Sequence, residues 1–181
     1  MMTDFTKTRA AFHLPDGMTY LDGNSLGPMP RAAANRVATM MADEWSQMLI
    51  TGWNRAGWYV QPRKVGDRIA RLIGAGEGQV VMGDTLSIKV FQALSAALRL
   101  RPGRRVILSD SGNFPSDLYV AEGIARALGA TLRVVAPEEV EAAIGPDLAV
   151  LMLTEVDYRT GRRHDMDALT ARAHDAGALA L

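Results

Sequence analysis

Three observations predict an α/β fold, a mostly parallel sheet with helices on both faces. Apolar runs of strand length recur at 79–82, 105–109, 131–135, 148–153 and 178–181. Between them, apolar residues recur at helical spacing over 87–98, 115–128, 137–144 and 165–174. The connections are short and rich in turn formers. Strands alternating with helices need crossovers, and crossovers make neighbouring strands parallel.

The bulk properties narrow the function classes. A chain of 181 residues can bury a sizeable core. Its 20 Lys+Arg balance 20 Asp+Glu, so net charge points to no nucleic-acid or membrane partner. Cysteine is absent, which excludes disulfides, thiolate metal sites and cysteine nucleophiles. The first residues carry no signal-peptide core, and no run approaches the roughly 18 apolar residues of a membrane span. The expected location is the cytoplasm.

The elements follow in order. Thr3 or Asp4 caps a short helix through Phe12, and Pro15-Asp16-Gly17 forces a turn. Met18-Thr19-Tyr20-Leu21 reads as a short strand before the loop Asp22-Gly23-Asn24-Ser25-Leu26-Gly27-Pro28. After Pro30 a long helix carries the stripe Val37, Met40, Met41, Trp45, Met48 and Leu49, the pattern of core or interface filler. An aromatic connector, residues 52–59, leads to a helix over 62–73 with Val65, Ile69, Leu72 and Ile73 on one face. Residues 1–60 thus form a helical amino-terminal segment and 61–181 an α/β domain. A strand opening at Ala178 would leave the sheet unfinished at Leu181, which suggests a piece of a longer protein.

Few motifs carry chemistry on their own. Gly74-Ala75-Gly76-Glu77-Gly78 follows a helix and precedes a strand, the reverse of a dinucleotide loop, and reads as a helix cap and turn. His13, His164 and His174 lack metal-ligand spacing and are expected at the surface. Arg99, Arg101, Arg104 and Arg105 are expected to form a solvated turn. Three strand-to-helix turns matter more, because ligands of α/β folds bind at the carboxyl edge of the sheet. Thr85-Leu86-Ser87 opens a helix whose first N–H groups favour an anion. Asn113-Phe114-Pro115-Ser116-Asp117 offers an aromatic ring and a carboxylate, and Thr154 ends another strand. Together Ser87, Phe114, Asp117 and Thr154 suit a flat, phosphorylated heteroaromatic ligand.

Three stretches, read together, resemble the kynureninases: Tyr20-Leu21-Asp22-Gly23-Asn24-Ser25-Leu26-Gly27, Asn54-Arg55-Ala56-Gly57-Trp58 and Asn113-Phe114-Pro115-Ser116-Asp117. Val156-Asp157-Tyr158-Arg159-Thr160-Gly161 continues the match in register. The resemblance implies the amino-terminal portion of a fold-type I enzyme that uses pyridoxal 5'-phosphate, usually a homodimer. It implies hydrolysis of L-kynurenine, or 3-hydroxykynurenine, to anthranilate, or 3-hydroxyanthranilate, and L-alanine, in tryptophan catabolism by the kynurenine pathway that feeds NAD biosynthesis. Carried over by position, Leu86 and Ser87 hold the cofactor phosphate, Phe114 stacks on the pyridine ring, and Asp117 and Thr154 contact the cofactor. Ser25 and Trp53 match substrate-side positions, which makes 1–60 the substrate-side segment and 61–181 part of the cofactor-binding domain. Lys7, Lys64 and Lys89 do not match the family's Schiff-base lysine, so this stretch alone is expected to be inactive. Two alternatives stand beside this reading. One is another class-V aminotransferase-like enzyme, such as a desulfurase relative, against which Asn24-Ser25-Leu26-Gly27 argues. The other is a non-catalytic α/β binding module using the same crevice.

Overall fold

A computed structural model describes residues 4–181, so the capping role expected of Thr3 lies outside the described residues. The chain divides into two compact units, one up to Met82 and one over Gly83–Leu181.

The first unit is helical. α1 (Thr6–Ala10) begins where Asp4 Oδ1 accepts the Thr6 N–H at 2.9 Å. α2 (Arg31–Thr39) continues into a π-helical stretch, Met40–Trp45, then α3 (Ser46–Met48), and a 3-10 turn, Leu49–Thr51, leads into α4 (Gly52–Arg55). The extra residue per turn of a π-helix breaks the 3.6-residue repeat. The predicted stripe is therefore split: Met40 and Met48 are half-buried, while Val37, Met41, Trp45 and Leu49 are exposed. Trp58, in the next 3-10 turn, donates its indole N–H to Glu44 Oε2 at 2.7 Å, and Arg36 pairs with the same carboxylate at 2.9 Å. α5 (Gln61–Ile73) ends at Gly74, whose φ of +72° confirms the cap read from the sequence.

Three expectations for this unit fail. Residues 18–21 and 79–82 do not form strands. Both are too short to stand without a ladder partner, and the Met82 N–H instead finds the Pro62 carbonyl at 3.1 Å. On α5 the buried line is Gly66 and Ala70, not Leu72 and Ile73, which are exposed. The segment at Val80 lies so close that a Cβ on Gly66 would stand 2.0 Å from its carbonyl oxygen.

The second unit is the predicted α/β architecture. α6 (Leu86–Leu100) is capped by Thr85, whose Oγ1 accepts the Ile88 N–H at 3.5 Å. β1 (Val106–Asp110), α7 (Pro115–Leu128), β2 (Thr131–Val135), α8 (Val140–Ala143), β3 (Leu148–Leu151), α9 (Met166–Asp175) and β4 (Leu179–Ala180) follow. The sheet is parallel in the order β2-β1-β3-β4. Alternate residues of β1 serve opposite faces. Ile107 packs with Val90 and Leu94 of α6 and Ala121 and Ile124 of α7. Val106 and Leu108 pack with Val140 of α8 and Leu169 and Ala173 of α9. Burying each large side chain such as Leu94, Ile107 or Leu108 contributes about 1.5–3 kcal/mol. A register shift passes over Ala149, pairing Val106 with Leu148 but Ile107 with Val150.

The arginines at 101–105 are a clamp rather than a solvated turn. Arg101 Nε donates to the Gly177 carbonyl at 2.8 Å, Arg104 Nη1 to those of Leu148 and Ala176 at 3.0 and 2.5 Å, and Arg105 Nη1 to that of Leu128 at 3.0 Å. These helix-end and strand-start carbonyls need donors, and guanidinium supplies several at once. Among the described residues no helix is long and apolar enough to cross a membrane.

Candidate functional site

Topology brings three chain segments to one edge of the sheet. α6 and α7 each lead into a strand of the parallel sheet, so both helices run against the strands. Their N-termini therefore lie at the carboxyl edge, where the chain also leaves β1 and β3. Ligands of open α/β sheets bind at this edge.

At the end of β1 the chain turns through Ser111–Gly112 into α7. The Asn113 N–H returns to the Asp110 carbonyl at 3.2 Å, and Asn113 Oδ1 accepts the Phe114 N–H at 2.7 Å. Pro115 then opens α7, where its missing N–H costs nothing. The Asn113 side chain also reaches across the sheet. Its Nδ2 donates to Ser109 Oγ at 3.0 Å, Ser109 Oγ donates to the Met152 carbonyl at 2.7 Å, and Thr154 Oγ1 donates to Asn113 Oδ1 at 2.7 Å. Phe114 is held by its own backbone, yet its ring remains 47% exposed. Tyr158 meets that ring edge-on at 5.1 Å between centroids, and the Arg159 guanidinium stands 5.2 Å from the Tyr158 ring centre.

Asp117 lies in the first turn of α7 and is buried. Burial pushes its carboxyl above the ordinary carboxylate value, and the Ser116 hydroxyl at 3.4 Å pulls weakly the other way. Among the described residues that hydroxyl is its one side-chain partner. Leu86 and Ser87 are the first two residues of α6, with Leu86 exposed and Ser87 half-buried. The five residues predicted for the cofactor thus all belong to the second unit, at its carboxyl edge.

Ser25 and Trp53 belong to the first unit. Ser25 Oγ donates to Asp22 Oδ1 at 2.8 Å in a loop closed by the Tyr20 hydroxyl, which donates to the Leu26 carbonyl at 2.6 Å. Trp53 is half exposed and packs edge-on with Trp58 at 6.3 Å. Trp53 and Trp58 line an apolar groove of about 480 Å³ with Met40, Trp45 and Met82, and Ser25 is not among its lining residues.

One residue overturns its sequence reading. His164 is 7% exposed, not at the surface, and its Nε2 lies 2.6 Å from Asp110 Oδ2, itself buried. The segment 155–164 folds back on itself. Asp157 N–H donates to the Arg162 carbonyl, His164 N–H donates to the Glu155 carbonyl, and Val156 bridges Arg163. The signal for this return was turn chemistry: Asp157 Oδ1 accepts the N–H groups of Arg159 and Thr160, and Gly161 takes a φ of +71°.

Comparison with known proteins agrees with the motif resemblance. The chain is 53% identical over 180 residues to the kynureninase of Pseudomonas fluorescens, covering 96% of this chain and 43% of that protein. It is 49% identical over 175 residues to the kynureninase of Deinococcus radiodurans, covering 93% of this chain and 42% of that protein. The chain thus spans less than half the length of these curated relatives. No protein-family model matches it. The fold is shared with cysteine desulfurases. The apo enzyme of Thermococcus onnurineus superposes with a TM-score of 0.72 at 18% identity, covering 99% of this chain and 47% of that one. That of Escherichia coli gives 0.72 at 18%, covering 100% and 48%. A C-DES variant with glycine linked to its PLP cofactor gives 0.70 at 14%, covering 97% and 46%. The α/β architecture with a parallel sheet expected from the sequence is the one observed, and it matches about half of each of these solved chains.

Proposed function

We propose that the chain is part of a kynureninase and supplies the phosphate and ring contacts for pyridoxal 5'-phosphate. The observation that carries this reading is the Phe114 ring, half exposed on a rigid turn at the sheet edge where helix α6 begins. The residues fit the cofactor. The Leu86 and Ser87 N–H groups and the Ser87 hydroxyl offer donors to a phosphate, with the helix dipole behind them. Phe114 gives a flat apolar face for a pyridine ring. Asp117, buried with one long hydrogen bond, leaves acceptor capacity for a donor on the ligand. Thr154 holds Asn113 and so fixes the angle of the Phe114 turn.

When bound, pyridoxal phosphate supplies an electron sink for breaking a bond of the substrate amino acid. The chain's own residues orient that cofactor, and the substrate is L-kynurenine or its 3-hydroxy form, released as anthranilate or 3-hydroxyanthranilate with L-alanine. Ser25 and Trp53, within residues 1–60, face the substrate in this reading, and residues 61–181 serve the cofactor. Lys7, Lys64 and Lys89 are the lysines of these 181 residues, and Lys89 Nζ is engaged by Gln92 Oε1 at 3.1 Å. Residues 1–181 by themselves are therefore expected to hold the cofactor without turnover. A homodimer working in the cytoplasm completes the reading. The desulfurase alternative has only the shared fold behind it, at 18% identity.

The test is release of anthranilate and alanine from kynurenine by the whole protein, dependent on added pyridoxal phosphate. No release at saturating cofactor overturns the proposal.

A further inference from the structure

We infer that Asp110 and His164 form a positioning pair that sets the angle of the Phe114 ring; this rests on the cofactor reading above. Neither residue touches the ring, but the turn that carries it hangs between them. Asp110 ends β1, and its Oδ1 accepts the Gly112 N–H at 2.5 Å. Its Oδ2 faces His164 Nε2 at 2.6 Å, within hydrogen-bond distance. The Arg162 guanidinium stands 3.4 Å from the same ring nitrogen.

His164 closes the returning segment 155–164, and that segment carries Tyr158 against Phe114. It also carries Asp157. A Cβ on Gly112 would stand 2.7 Å from Asp157 Oδ2 and 2.9 Å from Asp110 Oδ1, so the two carboxylates crowd the face of the glycine where a side chain would go. Arg159 Nη2 reaches the Ser111 carbonyl at 3.4 Å. Moving His164 off Asp110 releases the Tyr158 wall and the Gly112 turn together.

The full chain is titrated with pyridoxal phosphate by fluorescence, with thermal melting alongside. His164→Leu is expected to raise the dissociation constant roughly fivefold, as much as loss of the Phe114 ring itself. His164→Gln, whose amide reaches the place of Nε2, is expected to stay within about twofold of the parent. Because the pair acts through the ring, His164→Leu combined with Phe114→Leu should lose little beyond Phe114→Leu alone. Parent affinity in His164→Leu with a lowered melting temperature, or full additivity in the double variant, overturns the positioning role. Should His164→Leu not fold, His164→Asn replaces it. Asparagine is too short to reach Asp110, and affinity equal to that of His164→Gln overturns the role. Failure of the parent chain to bind the cofactor overturns the cofactor reading itself, and this inference with it.

Discussion

Thr154 Oγ1 donates to Asn113 Oδ1 at 2.7 Å, tying the end of β3 to the turn that follows β1. Asn113 Oδ1 also takes the Phe114 N–H at 2.7 Å, so one oxygen links two strand ends and the first residue of the α7 cap. Thr154→Val removes one donor and keeps the shape. It should cost about 1 kcal/mol of stability. A denaturant titration reads this as a lower midpoint with an unchanged slope. A parent-like midpoint shows that the bond does not hold the strand ends together.

Phe114 and Ser87 should act on cofactor affinity, with little effect on folding. The ring is half exposed and Ser87 sits on an open helix end, so neither supports the core. Stacking on a pyridine ring contributes on the order of 1 kcal/mol, and a hydroxyl bonding a phosphate roughly 1.5–3 kcal/mol. Phe114→Leu and Ser87→Ala are expected to weaken pyridoxal-phosphate binding by about fivefold and tenfold or more, with melting temperatures retained. Parent affinity in both variants removes the site assignment.

What the sequence made legible follows its physics. β2 and α7 have the bounds predicted, because their apolar period and their Pro115 and Gly129 punctuation act locally. Strands at 18–21 and 79–82 were misread because strand propensity needs a partner ladder, which no local pattern reports. The carboxyl-edge turns were legible as a set, since a parallel sheet forces them to one side. The burial of His164 was not, because it depends on a side chain fifty-four positions away across the fold. The arginine clamp was hidden for the same reason: its acceptors are backbone carbonyls of Leu148 and Ala176.

Asp117 carries a pH signature. Burial raises its carboxyl above the unfolded value, so the folded state disfavours the charged form. The penalty is absent below the unfolded pKa, grows as pH rises, and is complete above the folded value. Asp117→Asn should therefore raise the melting temperature at neutral pH, and the gain should vanish in acid. An equal gain at both ends of the range would place its origin in packing, not in the charge. The same variant should bind pyridoxal phosphate more weakly, since an amide accepts less strongly than a carboxylate.

Leu49 tests whether backbone strain surrounds the Trp53 segment. It adopts φ +48° and ψ −131°, and among the described residues it is the one non-glycine with positive φ. Such conformations cost a side-chain-bearing residue roughly 1–3 kcal/mol, against about 0.5–1 kcal/mol for the extra freedom glycine has when unfolded. The leucine side chain is 64% exposed, so little packing is lost with it. Leu49→Gly should thus stabilise the chain by about 1 kcal/mol. Leu49→Ala keeps the Cβ, and with it the strain, so it should give no gain. The reversal at Leu49 leads directly into α4, which presents Trp53 beside Trp58. If that geometry serves the substrate, Leu49→Gly should raise the Michaelis constant for kynurenine in the whole protein and leave cofactor affinity unchanged. Equal stability of the glycine and alanine variants would show that the turn carries no strain to release.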